Sequence, residues 1–218
     1  MKLLIIGGTG KTGQELIKQA LERGHTLTVL VRSPEKIKSM DTRVQIFKGD
    51  VLDHASLPQA MAGQEAVLSA LGHKKWIIRS TILSEGTKNI INAMQKHSVS
   101  RFICISSLGV NDSKFRMGLY YTLFVIPFLL FYYFKDKAKQ ERQIQESSLK
   151  WTIVRPGHFL PAWMVRIFHG KERGRYRTGE KIGNLFLTPV ISRADVAHFM
   201  LEQLENDIYI HRTPGIAY

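Results

Sequence analysis

The chain has 218 residues, of which 44% are hydrophobic and 22% charged; this excludes a disordered or fibrous protein and gives material for one sizeable core. Its 31 Lys and Arg against 18 Asp and Glu leave a net charge of +13, which favours anionic partners, whether phosphate cofactor, nucleic acid or acidic lipid, without choosing among them. The single cysteine, Cys104 in the apolar run RFICIS, excludes an intrachain disulfide framework and fits a reducing cytoplasm.

In chain order, the apolar run of MKLLIIGG is too short for a signal peptide, and KLLIIG reads as a buried strand. A helix over Lys11 to Arg23 follows, then strands TLTVLV, ending at Arg32, and VQIFKGD, ending near Asp50. Next come a helix over Ser56 to Met61, a strand AVLSALG, a long helix around Thr81 to His97 and a strand RFICISS. A helix around Asp136 to Ser147 leads into the strand WTIVRPG. The tail adds a strand at NLFLTP, a helix over Arg193 to Leu204 and a last short strand at DIYI. Continuous apolar strands alternating with helix-period segments predict an α/β fold, a doubly wound, mostly parallel sheet of Rossmann type in a single domain, residues 1–218. The ligand crevice of such a sheet lies at the carboxyl ends of its strands.

The turn GGTGKTG after the first strand has two readings. A P-loop requires Gly-x4-Gly-Lys-[Ser/Thr], but counting back from Gly10-Lys11-Thr12 puts its first glycine at Ile5, inside the strand. The dinucleotide reading is met by Gly7-x-x-Gly10-x-x-Gly13. Gly7 makes the tight turn, Gly10 lets the backbone approach a pyrophosphate and Gly13 lets helix and strand pack closely. The pyrophosphate rests on N–H groups at the helix N-terminus, with Thr9 and Thr12 adding hydroxyls and Lys11 charge. The second strand ends in VLVRSP rather than at an acidic residue. Arg32 and Ser33 thus offer a cation and a hydroxyl to a ribose 2′-phosphate, which predicts NADP(H) over NAD(H).

The segments IIGGTGKTG, LTVLVRSPEKI, VQIFKGDVLD, AVLSALG, FICISSLGV, DKAKQERQIQESSLKWTIVRPG and ISRADVAHFML together resemble the atypical short-chain dehydrogenase/reductases of the NAD(P)H-binding, NmrA-like group, with the layout of its flavin and biliverdin reductases. The resemblance implies that Asp50 and Val51 border the adenine and that Leu71 and Gly72 line the path to the nicotinamide ribose. It also implies that Ser106 lies beside the nicotinamide, with Pro156, Gly157 and His158 closing over its carboxamide side.

Ordinary short-chain dehydrogenases use a Tyr-x-x-x-Lys pair, and Tyr133-x-x-x-Lys137 has that spacing on one helix face. The interval from Ser106 to Tyr133 is about twice the usual one. The resemblance implies a helix that keeps the Lys, followed by a Glu like Glu141, and dispenses with the Tyr. Lys137 is therefore expected at the ribose or nicotinamide, with Tyr133 either a proton donor or an apolar wall. A flavin or quinone acceptor needs no protein acid, because its reduced form takes a proton from solvent.

Before this helix, MGLYYTLFVIPFLLFYYF runs 18 residues without a charge. A membrane span there would split one sheet across a bilayer, and Pro127 interrupts the run. Residues 115–134 read instead as an apolar lid or pocket wall over the crevice, and 157–192 as a substrate-side region. Peripheral membrane contact through 117–134 and the basic stretch 166–181, and a dimer contact, stay open as alternatives. Aromatic residues are too sparse in the basic stretch for nucleic-acid stacking, and no His or Cys spacing predicts a metal site. The expected function is NADPH-dependent hydride transfer to a small planar or apolar flavin, quinone or carbonyl-type acceptor, by a cytoplasmic monomer or homodimer. The alternative is a non-catalytic NADP(H)-binding regulator of the NmrA type.

Overall fold

Strands that are apolar on both faces need a sheet covered on both sides. The computed structural model, which describes residues 1–37, 41–73, 77–161, 164 and 174–218, has such a sheet. Strands β1 (Lys2–Ile6), β2 (Thr26–Val31), β3 (Val44–Lys48), β4 (Ala66–Ser69), β5 (Arg101–Ile105) and β6 (Lys150–Pro156) lie in the order β3-β2-β1-β4-β5-β6. All five pairings are parallel. A separate parallel pair joins β7 (His158–Phe159) to β9 (Val190–Ile191). The main sheet is extended past β6 by β10 (Gly215–Ala217), parallel, and then by β8 (Arg177–Gly179), antiparallel.

Alternate residues of each strand go to opposite faces, so Leu4 and Ile6 join one core cluster while Leu3 and Ile5 join the other. The first cluster packs under α2 (Leu57–Met61), α3 (Ile82–Lys96) and α5 (Phe131–Gln145), the second under α1 (Lys11–Glu22) and α6 (Arg193–Glu202). Helix α1 stops where Gly24 takes φ +78° and its N–H bonds Leu21 O at 3.0 Å, the glycine-terminated end usual for helices.

Helix α5 is unusual because its buried face is largely polar: Asp136, Lys137, Gln140 and Glu141 are all buried, beside Phe134 and Ile144. Asp136 accepts from the N–H groups of Leu83 (3.0 Å) and Ser84 (3.2 Å), capping the N-terminus of α3 from another helix. Gln140 Nε2 donates to Thr87 Oγ1 at 2.9 Å. Glu141 receives Arg155 from β6 in a fork, Nε to Oε1 at 3.0 Å and Nη2 to Oε2 at 2.8 Å, and Arg155 is 1% exposed. Asn111 and Asp112, in the loop after β5, join the same pair at 2.7 Å each.

Two expected strands are absent, each for a local reason. At 184–189, Asn184 Oδ1 accepts from the N–H groups of Phe186 and Leu187 (2.9 and 2.7 Å), folding the chain into a side-chain turn; the strand comes later, at Val190–Ile191. At 207–210 the N–H of Ile210 bonds Asp207 O and that of Ile208 bonds Asn206 Oδ1, again a turn, and Gly215–Ala217 pairs with β6 instead. Helix α5 also begins five residues before the expected Asp136, at Phe131, because Pro127 interrupts only the preceding turns: a π-helical turn at Tyr121–Val125 and the short α4 (Ile126–Phe128).

Removing one partner of the fork should cost far more than removing both. Glu141→Ala leaves a buried guanidinium with Asp112 alone and is expected to lower urea-unfolding stability by about 3–5 kcal/mol, whereas Glu141→Leu with Arg155→Met should lie much nearer the wild type.

Candidate functional site

The crevice begins at the glycine turn between β1 and α1. Gly7 has φ +81°, and a Cβ there would sit 2.5 Å from Ala70 O at the end of β4; one on Gly13 would sit 2.2 Å from Gly7 O. The turn is closed by the Gly10 N–H donating to Gly7 O at 3.0 Å. Gly10 is the N-cap of α1, with no side-chain cap and no acidic residue in the first turn. The first N–H groups of α1 thus have no side-chain cap, and the positive end of the helix dipole is uncompensated by an acidic side chain in that turn. Lys11 is exposed beside them, with Thr9 and Thr12 half-buried.

Beside this turn, Arg32 extends from the end of β2 with its side chain 67% exposed, and its Nη1 lies 3.9 Å from Asp50 Oδ2, a loose surface pair. Ser33 precedes a short 3₁₀ turn at Pro34–Lys36. Asp50 Oδ1 accepts from the Leu52 N–H at 3.0 Å. Val51 and Leu71 are only 6% and 8% exposed, and their side chains pack over Gly86 of α3. The Val51 carbonyl also accepts from Asn89 Nδ2 at 2.9 Å.

At the carboxyl ends of β4 and β5 several buried polar groups are short of partners. Among the described residues, Ser106 Oγ and His73 Nε2 are buried without a hydrogen bond, and Ser69 Oγ has only the weakly donating Cys104 thiol beside it. Lys137 is 2% exposed; its Nζ donates to Ile105 O at 3.5 Å, lies 5.2 Å from the centre of the Tyr133 ring and forms no ion pair among the described residues. Tyr133 meets the His73 ring edge-on at 5.1 Å, and its hydroxyl is 4.0 Å from where a Gly72 Cβ would stand. Burial first, and then the Lys137 charge, lower the His73 pKa, opposed by Asp136. Burial pushes the Cys104 thiol up to about 12, which leaves it unreactive.

On the β6 side, Leu108 N–H bonds Pro156 O at 3.0 Å, and Gly157 is held against Pro189, whose O lies 2.5 Å from a Cβ placed there. His158 Nδ1 is 2.8 Å from Tyr121 Oη, with its pKa lowered by burial and then by Arg193. Tyr121 thus ties the apolar segment to the end of β6. Among the described residues no helix is long and apolar enough to cross a membrane. Residues 166–173 of the basic stretch lie outside the described residues.

The structure therefore brings Gly7, Ser106, Tyr133 and Lys137 to one edge of the sheet, and sets Arg32, Ser33 and Asp50 to one side of the glycine turn and His158 beyond β6. His73, Ser69 and Tyr121 were missed by the sequence reading. His73 comes one residue after the expected strand AVLSALG, and only its pairing with Tyr133, 60 positions away, marks it. The arrangement offers an anion-binding turn, an exposed cation and a buried set of hydrogen-bonding groups with unused capacity.

The profile of the NAD(P)H-binding family matches residues 7–207. Among curated proteins, the chain is similar to the photosystem II assembly factor Ycf39 of Synechocystis, 32% identical over 98% of this chain and 61% of that protein. It is also similar to the NAD(P)H azoreductase of Xenophilus azovorans, 25% identical over 80% of this chain and 54% of that one. The chain thus spans less than two thirds of the length of either. A solved Rossmann-fold NAD(P)-binding family protein from Shigella flexneri, 25% identical, superposes with a TM-score of 0.72 over 99% of this chain and 92% of that one.

The two tight glycines and the looser one should separate on substitution. Gly13→Ala drives a Cβ into the Gly7 carbonyl and is expected to cost about 1–3 kcal/mol in urea unfolding. Gly10→Ala, whose Cβ would be 3.3 Å from its nearest neighbour, should cost about 1 kcal/mol or less on the same curve, the loss of a glycine N-cap.

Proposed function

The chain belongs to the NAD(P)H-binding family, and from that premise we propose that it is an NADPH-dependent reductase acting on a flavin, quinone or other apolar carbonyl-type acceptor. The observation that carries this reading is the cluster of buried polar groups with unused hydrogen-bonding capacity, Ser69, Ser106 and Lys137, the last with only a 3.5 Å contact to Ile105 O, at the strand ends next to an uncapped helix N-terminus. Buried donors and acceptors without partners are costly, and a dinucleotide lying across the sheet edge would supply partners for all of them.

In this reading the N–H groups of α1 and the hydroxyls of Thr9 and Thr12 hold the pyrophosphate, with Lys11 adding charge. Arg32 and Ser33 hold the 2′-phosphate, and Asp50 and the Val51 main chain border the adenine. Lys137 and Ser106 bind the ribose and nicotinamide side, approached past Leu71 and Gly72, and Pro156, Gly157 and His158 close the far end. A bound NADPH supplies the hydride. The chain's own residues fix the geometry: Lys137 orients the ribose, Tyr133 and the inner side of segment 115–134, tethered by Tyr121 to His158, form the wall against which a planar acceptor stacks, and that wall excludes water. In this reading Tyr133, with Lys137 beside its ring, is the proton donor for carbonyl acceptors. The similarity to an azoreductase supports turnover.

A second reading, an NADP(H)-binding protein without turnover, is supported by the similarity to an assembly factor over 98% of the chain. The two separate in one experiment: NADPH oxidation against flavins, quinones and carbonyl compounds, beside calorimetry with NADPH and NADH. Tight NADPH binding with no oxidation by any acceptor would establish the second reading and sink the first. Arg32→Glu should reduce the NADPH/NADH affinity ratio about ten- to a hundredfold, the worth of one charge-assisted hydrogen bond, and an unchanged ratio would remove the 2′-phosphate role. Tyr133→Phe should lower kcat for carbonyl acceptors by about a hundredfold or more while leaving quinone reduction nearly unaltered.

A further inference from the structure

The apolar segment before α5 has two faces, and only one of them is used by the fold. Thr122 is buried, Tyr121 reaches His158, and Ile126 packs towards Gly109. The opposite face points to solvent: Tyr120, Leu123, Phe124, Phe128, Leu129 and Phe131 are all exposed, Phe128 by 76%. A wall that served the crevice alone would carry polar residues on that outer side.

The patch continues onto a second segment. Met117 bridges to Asn184, the Gly118 N–H donates to Asn184 O at 3.0 Å, and a Cβ on Gly118 would lie 2.9 Å from Thr188 N. This sets Leu185, Phe186 and Leu187 beside residues 117–118, and they too are exposed, Phe186 by 83%.

The ionisable rim is cationic. Lys114 and Lys135 flank the first segment and are exposed. Lys181 and Arg177, both exposed, line a hollow of about 230 Å³ together with Leu187 and Tyr218, with Arg177 Nη2 donating to Tyr218 O at 2.6 Å. The nearby carboxylates are engaged elsewhere: Asp112 with Arg155, Asp136 with the N-terminus of α3, and Glu180 with Arg212 at 3.4 Å.

From exposed aromatic and aliphatic side chains ringed by cations, on a chain of net charge +13, we propose that this face docks on the surface of an anionic lipid bilayer, its rings in the interfacial region and its lysines and arginines at the headgroups. A second copy is the poorer occupant, because a two-fold contact through this patch would set the cationic rims of both copies against each other. The docking is independent of turnover and lies on the side of the segment away from the crevice.

The test is co-sedimentation of the full chain with vesicles of phosphatidylcholine alone and of phosphatidylcholine and phosphatidylglycerol in equal parts. The mixed vesicles should bind the protein about tenfold or more better, and the difference should fade at high salt. The double substitution Phe124→Ser, Phe128→Ser should reduce partitioning to the mixed vesicles about tenfold or more, with NADPH affinity and the urea midpoint retained. Lys114→Glu with Lys135→Glu should weaken it as well. No binding to the mixed vesicles, equal binding to both compositions, or a double phenylalanine variant that binds like the wild type would overturn the proposal. So would sedimentation velocity showing a dimer that this double variant dissolves, since the patch would then be a self-interface.

Discussion

Helix α5 directs four polar side chains into the interior, and each is held by a different part of the protein: Asp136 by the α3 N-terminus, Gln140 by Thr87, Glu141 by Arg155 of β6, and Lys137 by the end of β5. Burying charges and amides without partners costs several kcal/mol in aggregate. The helix therefore has one register against the sheet in which its polar face is satisfied. Sliding or rotating it would strand all four groups at once. Three of them find good partners within the protein, and that arrangement leaves Lys137, with only a 3.5 Å contact to Ile105 O, at the crevice edge.

The glycine turn imposes a second constraint from the other side of the same edge. Because β1 pairs with β4 and β4 with β5, with Ile6 opposite Ser69 and Ser69 opposite Cys104, the turn after β1 and the polar ends of β4 and β5 are neighbours. Gly7 must come within van der Waals reach of Ala70, and Gly13 of Gly7; side chains at either position would push the turn away from the sheet. The N-terminus of α1 and the hydroxyls of Ser69 and Ser106 are thus brought to the same edge of the sheet. Groups left short of hydrogen bonds lower the stability of the free protein, and a ligand that supplies the partners raises it again by mass action.

Segment 115–134 joins these interior constraints to the surface. Its inner residues are engaged by His158 and Gly109, while its outer residues are exposed and apolar, and exposed Leu185, Phe186 and Leu187 lie beside its start at 117–118. In the reading proposed above, this segment answers to two environments at once, the crevice and an apolar surface outside the protein. Under the proposed docking, part of the net positive charge acts where lysines and arginines border that patch.

What the sequence by itself determined is whatever depends on neighbours a few positions apart. The apolar runs specify buried parallel strands, GGTGKTG after β1 specifies the close-packed turn, and the four-residue interval puts Tyr133 and Lys137 on one helix face. The two misplaced strands fail for the same local reason: asparagine and aspartate at 184 and 206–207 bind nearby N–H groups and turn the chain before a strand can form. Only the tertiary structure decided that Asp136 caps a helix 53 residues away, that Arg155 answers Glu141, that His73 meets Tyr133, and which side of the apolar run faces outward. Those partners are chosen by the order of strands in the sheet and by the cost of burying an unpaired polar group, and neither leaves a periodic trace along the chain.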